Sequence, residues 1–436
     1  MQKINQKLDK NFFKNACTKC GFCEDIFPNK IKIDIKKNVS VKLHHNLDNK
    51  EKAVFSKFCP GIGFNYLKRK KNLKFDNLIG NYVDSYISYS LNKKVRLNSS
   101  SGGVLTEVIL NLLKNKEVDY VIMPLQMKNP NQLPRYSITR NLKDIKVNSQ
   151  SIYTKIPSMN IIKKIIKSNK KFCFVGLPDQ TMALRNLMEI YPIIKKNIKY
   201  IIGPMVGINM DPNSLDGIKK IYGINKNIDI KKLRWRDGEW PGYLYIKYSN
   251  NFEVRLKKFY YNFLLPFYCS QESLTSCDFT NEAADISVGD AWSPKYENKG
   301  GGWSVAWSKS KKGEKILKIL KNKNKIYLKK ISSKDAKRMH LHMLDFKKRG
   351  SQYRNKIYNF FGIAVPKNKI KSVNFSYKRL FIELIILISI GICKSNFGKL
   401  ILRITNPTIL GSFFSFVRII WKKATYNIKR KDIHDF

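Results

Sequence analysis

From about residue 77 the chain alternates short apolar runs with amphipathic stretches. Val104–Leu113 carries its apolar residues at helical spacing, and Tyr120–Pro124 reads as a short buried strand. Ile161–Ile166 is helical in pattern, and Lys171–Val175 is an apolar run that stops at Gly176, the mark of a buried strand. Met182–Ile190 continues as a helix, and Tyr200–Ile202 opens another strand. Buried strands alternating with amphipathic helices predict crossover units on a parallel or mixed sheet, hence an α/β body (α+β overall). Residues 230–310, rich in Trp, Gly and other aromatics, read as strands and loops. The Lys-rich stretch 313–362 reads as mostly helical, and no internal repeat is visible.

Both ends break this pattern. Residues 1–75 form a Cys- and Lys-rich head with little periodic hydrophobicity. Beyond 367, Leu380–Cys393 is strongly apolar but short for a membrane span and contains Glu383. Ile409–Trp421 is apolar around Arg418 and is followed by Lys422 and Lys423. Such helices either lie on an anionic membrane surface or pack on the body or a partner protein. The expected division is a head at 1–75, an α/β flavin-binding body at 76–230, its C-terminal part at 231–366, and a basic apolar helical tail at 367–436.

Charge narrows the partners. A net charge of +51 attracts polyanions: nucleic acid, anionic lipid, or phosphorylated cofactors and substrates. No helix-turn-helix, RNA-recognition or zinc-finger pattern accompanies it, so nucleic acid is not the expected partner. The Lys run around Lys68–Lys74 is read as a solvated surface. With 43% hydrophobic residues the chain is globular rather than disordered. Residues 1–16 are charged and lack the apolar core of a secretory signal. The expected location is cytoplasmic, with contact at the inner face of the membrane as the alternative the tail raises.

The cysteines carry the chemistry. Cys17, Cys20 and Cys23 follow one another at two-residue gaps, and Cys59 precedes Pro60 further on. Thiolates at this spacing on a tight loop converge on one cubane cluster, and a remote Cys-Pro supplies a fourth ligand in ferredoxins. Gly21 lets the backbone turn close to inorganic sulfide. Four thiolates also suit zinc, although structural zinc sites usually pair two Cys-x-x-Cys knuckles. Phe27, not cysteine, precedes Pro28, so one 4Fe–4S cluster is expected in the head. Its ligands would be Cys17, Cys20, Cys23 and Cys59.

Four later stretches, with the head, resemble the family of coenzyme F-420 (deazaflavin) hydrogenase and dehydrogenase beta subunits, in its polysaccharide-associated type. They are Ser99–Val104 (SSSGGV), Phe174–Gln180 (FVGLPDQ), Arg234–Gly242 (RWRDGEWPG) and Ala284–Trp292 (ADISVGDAW). Gly362–Pro366 also matches, and the tail is not covered. The resemblance implies a ferredoxin-like head, an α/β body, a bound flavin (FAD first, with FMN or deazaflavin as lesser alternatives), and electron relay to an organic acceptor. The chain departs from the family where a further cluster would sit. Asp179 stands for the cysteine of Pro-Cys-Gln, Val206 for the cysteine before Gly207, and Leu274 for the first cysteine of the pair ending at Cys277. Cys269 is a poor substitute, so loss of any second cluster is expected.

Ser99, Ser100, Ser101, Gly102 and Gly103 precede a helix, where small residues let backbone amides approach a phosphate. An ordinary capped loop reads the same way, and the resemblance favours flavin phosphate. Gly176, Pro178 and Gln180 follow a strand at the edge where open α/β sheets bind ligands. Asp290, like Asp285, either contacts the cofactor or stabilises a turn. His340 and His342 are expected at the surface. No acid, base or nucleophile can be named as catalytic. The expected function is an iron–sulfur flavoprotein oxidoreductase. It would relay electrons between a ferredoxin-like donor, the cluster, a flavin and a small-molecule or glycan-precursor substrate in surface polysaccharide synthesis. The alternative is a non-catalytic binding protein at an anionic membrane surface.

Overall fold

The computed structural model describes residues 8–425, apart from 36–38, 128, 130 and 258–261. The first seven residues of the head and the last eleven of the tail, including His434, lie outside the described residues.

The body is built on an eight-stranded mixed sheet. Head strands β1 (Ile31–Asp34) and β2 (Ser40–Leu43) form a hairpin, and β3 (Lys74–Asp76) pairs with β4 (Gly80–Tyr82). The large sheet then takes β5 (Asp84–Ser90), β6 (Tyr120–Leu125), β7 (Arg135–Thr139), β8 (Phe172–Val175) and β9 (Ile198–Pro204). A separate three-stranded antiparallel sheet is made by β10 (Ile230–Asp237), β11 (Tyr243–Tyr248) and β12 (Glu253–Lys257). The large sheet is completed by β13 (Ile286–Asp290), β14 (Ser304–Ser308) and β15 (Ile326–Ile331), in the order β15-β5-β14-β13-β9-β8-β6-β7.

The four central strands β6, β8, β9 and β13 run parallel, and both flanks are antiparallel. Parallel strands are buried on both faces and need continuous apolar runs. Phe172, Cys173 and Phe174 of β8, and Ile201 and Ile202 of β9, meet that need. Helices Val104–Lys114, Pro178–Ile190 and Lys311–Asn322 accompany the sheet, the middle one with Pro178 at its first turn, where the missing N–H costs nothing. The mixed α/β body expected from the pattern is therefore present.

One apolar core joins the head to the body. It contains Phe12, Phe22, Phe55 and Phe58 together with Phe172, Phe174, Leu184 and Ile201. Two expectations need correction. Within the stretch read as mostly helical, Ile326–Ile331 is the edge strand β15, laid antiparallel on β5. His340, expected at the surface, is buried against Phe279 with ring centroids 5.2 Å apart.

Candidate functional site

The head places its cysteines by short-range geometry. A π-helical turn over Phe12–Ala16 leads into Cys17, and the helix Phe22–Ile26 carries Cys23. Gly21 sits between Cys20 and that helix at φ +104°, and a Cβ there would lie 2.5 Å from the Ser158 amide nitrogen. The turn therefore needs glycine twice over, for its backbone angle and for its close approach to the body. The helix Asn49–Phe58, capped by a reciprocal Asp48–Glu51 box, delivers Cys59 at its C-terminal end.

The body holds this head in place. The Ser158 N–H donates to the Cys20 carbonyl at 2.8 Å. The buried Asp25 carboxylate accepts from the amides of Asn160, Ile161 and Ile162 at 2.7–3.0 Å. Near the C-terminal side, Asn11 Nδ2 donates to the Gly362 carbonyl at 2.7 Å, and the Lys369 N–H donates to the Phe64 carbonyl at 2.8 Å.

All four thiols are buried. Burial pushes the Cys17 thiol up to about 12, with Cys20 adding to the effect. Burial raises Cys20, and it raises Cys23 and Cys59 well above the ordinary thiol value; the neighbouring cysteines of the same set push Cys23 and Cys59 further. Opposing this, backbone amides point at sulfur: Lys19 at Cys17, Phe22 at Cys20, and Gly61 and Ile62 at Cys59. The Lys19 N–H reaches Cys17 Sγ at 3.4 Å. Among the described residues no three Cys, His, Asp or Glu side chains are gathered tightly enough for a single metal ion. A tetrahedral zinc site needs its sulfurs about 3.8 Å apart, given Zn–S bonds of about 2.3 Å. Four buried thiols with amides directed at three of them are the chemical type of donor that iron–sulfur clusters take.

Of the positions where the family would carry further cysteines, Asp179 and Val206 line one cavity of about 10 Å³, together with Glu272 and Lys347; Ser273 and Asp278, the neighbours of Leu274 and Cys277, line it in their place. That is room for about one water molecule, not a cluster. Buried charge occupies the surroundings. Lys155 pairs with Glu272 at 3.3 Å, both almost wholly buried, and Lys348 pairs with Glu282. Burial pushes the Glu272 carboxyl up, but Lys155 and then Lys19 draw it below its ordinary value. Burial raises Asp179, against the pull of Lys155 and Lys347. Lys347 Nζ donates to the Ser273 carbonyl, and Arg354 Nε to that of Leu274. Neither Lys155 nor Glu272 carried a signal in the sequence, because each looks like an ordinary surface residue until the fold pairs them.

The serine–glycine loop spends its side chains within the protein. Ser99 Oγ donates to the Val95 carbonyl, Ser100 Oγ accepts from the Ser151 amide, and Ser101 Oγ donates to the Trp303 carbonyl. The Gly102 N–H donates to Ser304 Oγ, and a Cβ at Gly102 would lie 2.8 Å from the Ser88 carbonyl oxygen. Here glycine is required by the packing of the sheet. Gly103, at φ +77°, opens the helix Val104–Lys114.

The remaining predicted site residues are similarly committed. The Gly176 carbonyl accepts from Asn281 Nδ2, which also reaches the Pro204 carbonyl and so ties the loops after β8 and β9. Pro178 is buried at a helix start. Gln180 is fully buried, accepting from Tyr136 Oη and the Leu177 amide and donating to the Ile156 carbonyl. Asp290 accepts from Arg236 and from Trp240 Nε1 at 2.7 Å. Asp285 accepts from the Ile201 amide and pairs with Arg185 and Lys312. These side chains bond within the protein, so any flavin contact in these loops would come from backbone amides.

The mixed α/β sheet agrees with the comparisons. Models of the beta subunit, coenzyme F420 hydrogenase/dehydrogenase type, match residues 86–163 (its N-terminal part) and 169–334 (its C terminus). The chain belongs to the family of coenzyme F420 hydrogenase/dehydrogenase beta subunits. It is 23% identical over 323 residues to one of the F(420)H(2) dehydrogenase subunits of Methanosarcina mazei, covering 72% of this chain and 84% of that one. It is 23% identical over 248 residues to the beta chain of the coenzyme F420 hydrogenase of Methanosarcina barkeri, covering 55% and 79%. Among solved structures, a chain of the xenon-derivatised F420-reducing NiFe hydrogenase complex from Methanosarcina barkeri shares the fold. Its TM-score is 0.53 at 20% identity, over 67% of this chain and 98% of that one. Membership of the family gives this chain a redox, electron-transfer role.

Proposed function

We propose that this family member is an iron–sulfur oxidoreductase component carrying a single 4Fe–4S cluster on Cys17, Cys20, Cys23 and Cys59. The observation that carries the reading is that Cys17, Cys20, Cys23 and Cys59 are all buried, with backbone amides directed at three of them. When bound, such a cluster supplies one-electron transfer. The chain's own part is to exclude water, to deliver four thiolates, and to stabilise their charge through the Lys19, Phe22, Gly61 and Ile62 amides. Lys155 adds positive charge beside Cys20.

The organic acceptor belongs to the flavin or deazaflavin class, a reading supported by relatives named for coenzyme F420. In the loops that the sequence pattern assigns to FAD the side chains are bonded within the protein, and backbone amides would hold its phosphates. The donor is a ferredoxin-like protein in a reducing, cytoplasmic setting. A glycan precursor or other small molecule as final substrate rests on resemblance alone.

Anaerobic reconstitution tests the reading. The unaltered chain should hold about four irons with matching acid-labile sulfide, and Cys20→Ser should hold almost none. Stoichiometric zinc without sulfide in the native protein would overturn it.

A further inference from the structure

More than half of the large apolar side chains exposed among the described residues lie on three consecutive helices at the C-terminal end. These are Tyr377–Lys394, Asn396–Ile404 and Pro407–Thr425. The family models stop at residue 334, well before them.

Each helix divides its surface in the same way. On the first, Tyr377, Phe381, Ile385, Ile388 and Ile392 are exposed. Their steps of three and four residues place them on one face. The opposite side belongs to the body. Glu383 is wholly buried there and paired with Arg354 and Arg379, and Leu387 and Ile390 pack near Phe346 and Trp421. On the second helix Phe397, Leu400 and Ile404 face out, while Leu402 joins the core beneath the three-stranded sheet. On the third Ile409, Phe413, Phe416 and Ile420 face out, while Leu410 and Phe414 reach that same core. Inner sides that are packed and ion-paired fix these helices on the body and leave continuous outer stripes in solvent.

Charge identifies what covers the stripes. Between residues 367 and 425 the sole acid is Glu383, and it is buried, whereas Lys and Arg recur throughout. Lys378, Lys399, Arg403 and Lys423 are exposed among the apolar residues. A rim this uniformly basic is complementary to a uniformly anionic surface. An anionic leaflet needs only an apolar stripe edged by cations. No single helix among the described residues is long and apolar enough to cross a membrane. The first two helices pass a span test only together, and they bend by 71° at their junction. That geometry suits helices lying along an interface. The solved relative is matched over 98% of its own length yet only 67% of this chain, so about a third of this chain has no counterpart in the relative.

We infer that the three C-terminal helices form a monotopic docking surface for an anionic lipid leaflet. The exposed Phe, Ile and Leu side chains enter the acyl boundary, and Lys378, Lys399, Arg403 and Lys423 meet lipid phosphates. The inference stands independently of the cluster.

Flotation of the full chain with lipid vesicles tests it. Vesicles of phosphatidylcholine containing phosphatidylglycerol should capture the protein, and pure phosphatidylcholine vesicles should capture far less. Raising the salt should weaken capture, since surface attraction is screened within about 10 Å at 0.1 M ionic strength. Combined Phe381→Ser, Phe413→Ser and Phe416→Ser should lower the partition coefficient at least about tenfold, because binding scales with apolar area inserted. Lys399→Gln and Arg403→Gln should each lower it about fivefold. Iron content and circular dichroism of these exposed-site variants should match the parent, which keeps a loss of binding distinct from misfolding. Three results would overturn the inference: no capture by anionic vesicles, unchanged capture of the triple Phe variant, or a dimer that the triple variant dissolves in the absence of vesicle binding.

Discussion

Around Cys17, Cys20, Cys23 and Cys59 the buried polar groups are thiols met by backbone amides. Beside Asp179, Glu272 and Asp278 they are carboxylates met by the ammonium groups of Lys155 and Lys347. The two places are neighbours, close enough for Lys155 and Asp179 to act on Cys20. The thiol cage stores no charge until it gives up protons, and burial keeps those protons on. It therefore stays neutral when empty and becomes anionic only as metal replaces hydrogen. The carboxylate place sets Asp179, Glu272 and Asp278 against Lys155 and Lys347, which offset their charge in part, and leaves space for about one water. A buried site can be balanced by metal or by side-chain cations, and on the function proposed above the first place takes the metal while the second relies on lysine.

The contrast is most severely tested by removing a cation from the second place. Lys155→Met should leave Glu272 buried without its partner and cost about 3–5 kcal/mol, read as a lowered urea midpoint. A loss under about 1 kcal/mol would mean that Lys155 does not offset the Glu272 charge. A smaller effect is expected from pH. Burial pulls the Lys309 ammonium down to about 8, against the attraction of Glu282 and then Asp278, from an ordinary value of 10.5. Between those two values the unfolded chain binds the proton that the folded chain has released. Stability should therefore rise with pH across that window, by on the order of 2–3 kcal/mol for this group. Lys309→Met should flatten the rise in thermal unfolding scans between pH 8 and 10, and an unaltered slope would remove Lys309 from the account. The smallest effect is expected at Cys277. Cys277→Ala should change stability by about 1 kcal/mol and leave iron at about four per chain. Mössbauer spectroscopy showing eight irons in the parent, or half the iron lost in the variant, would break the contrast outright.

What could be read in the sequence was local. Phe172–Val175 and Val104–Lys114 declare themselves because a buried strand and an amphipathic helix each fill a short window with one period. The cysteines declare themselves because Cys17, Cys20 and Cys23 need only one loop to converge. Distant pairings were hidden. The alternation of Ile326–Ile331 is blurred by Lys329 and Lys330, and its partner β5 lies far back in the chain. His340 looks polar until Phe279 covers it. Gln180 was found at the right edge of the sheet, but its bonds to Tyr136 and Ile156 come from other segments. Position was legible there and role was not. Asn281, which ties two loops through the Gly176 and Pro204 carbonyls, gave no sign at all.

The hydrogen bonds from Asn11 to Gly362, and from Lys369 to Phe64, have a consequence in time. The cysteine head leaves the ribosome before these contacts can form, because its partners are made some three hundred positions later. During synthesis at about 5–20 residues per second, Cys17, Cys20, Cys23 and Cys59 wait tens of seconds before the clasp exists. A cluster bound earlier than that would sit in a head still lacking both contacts.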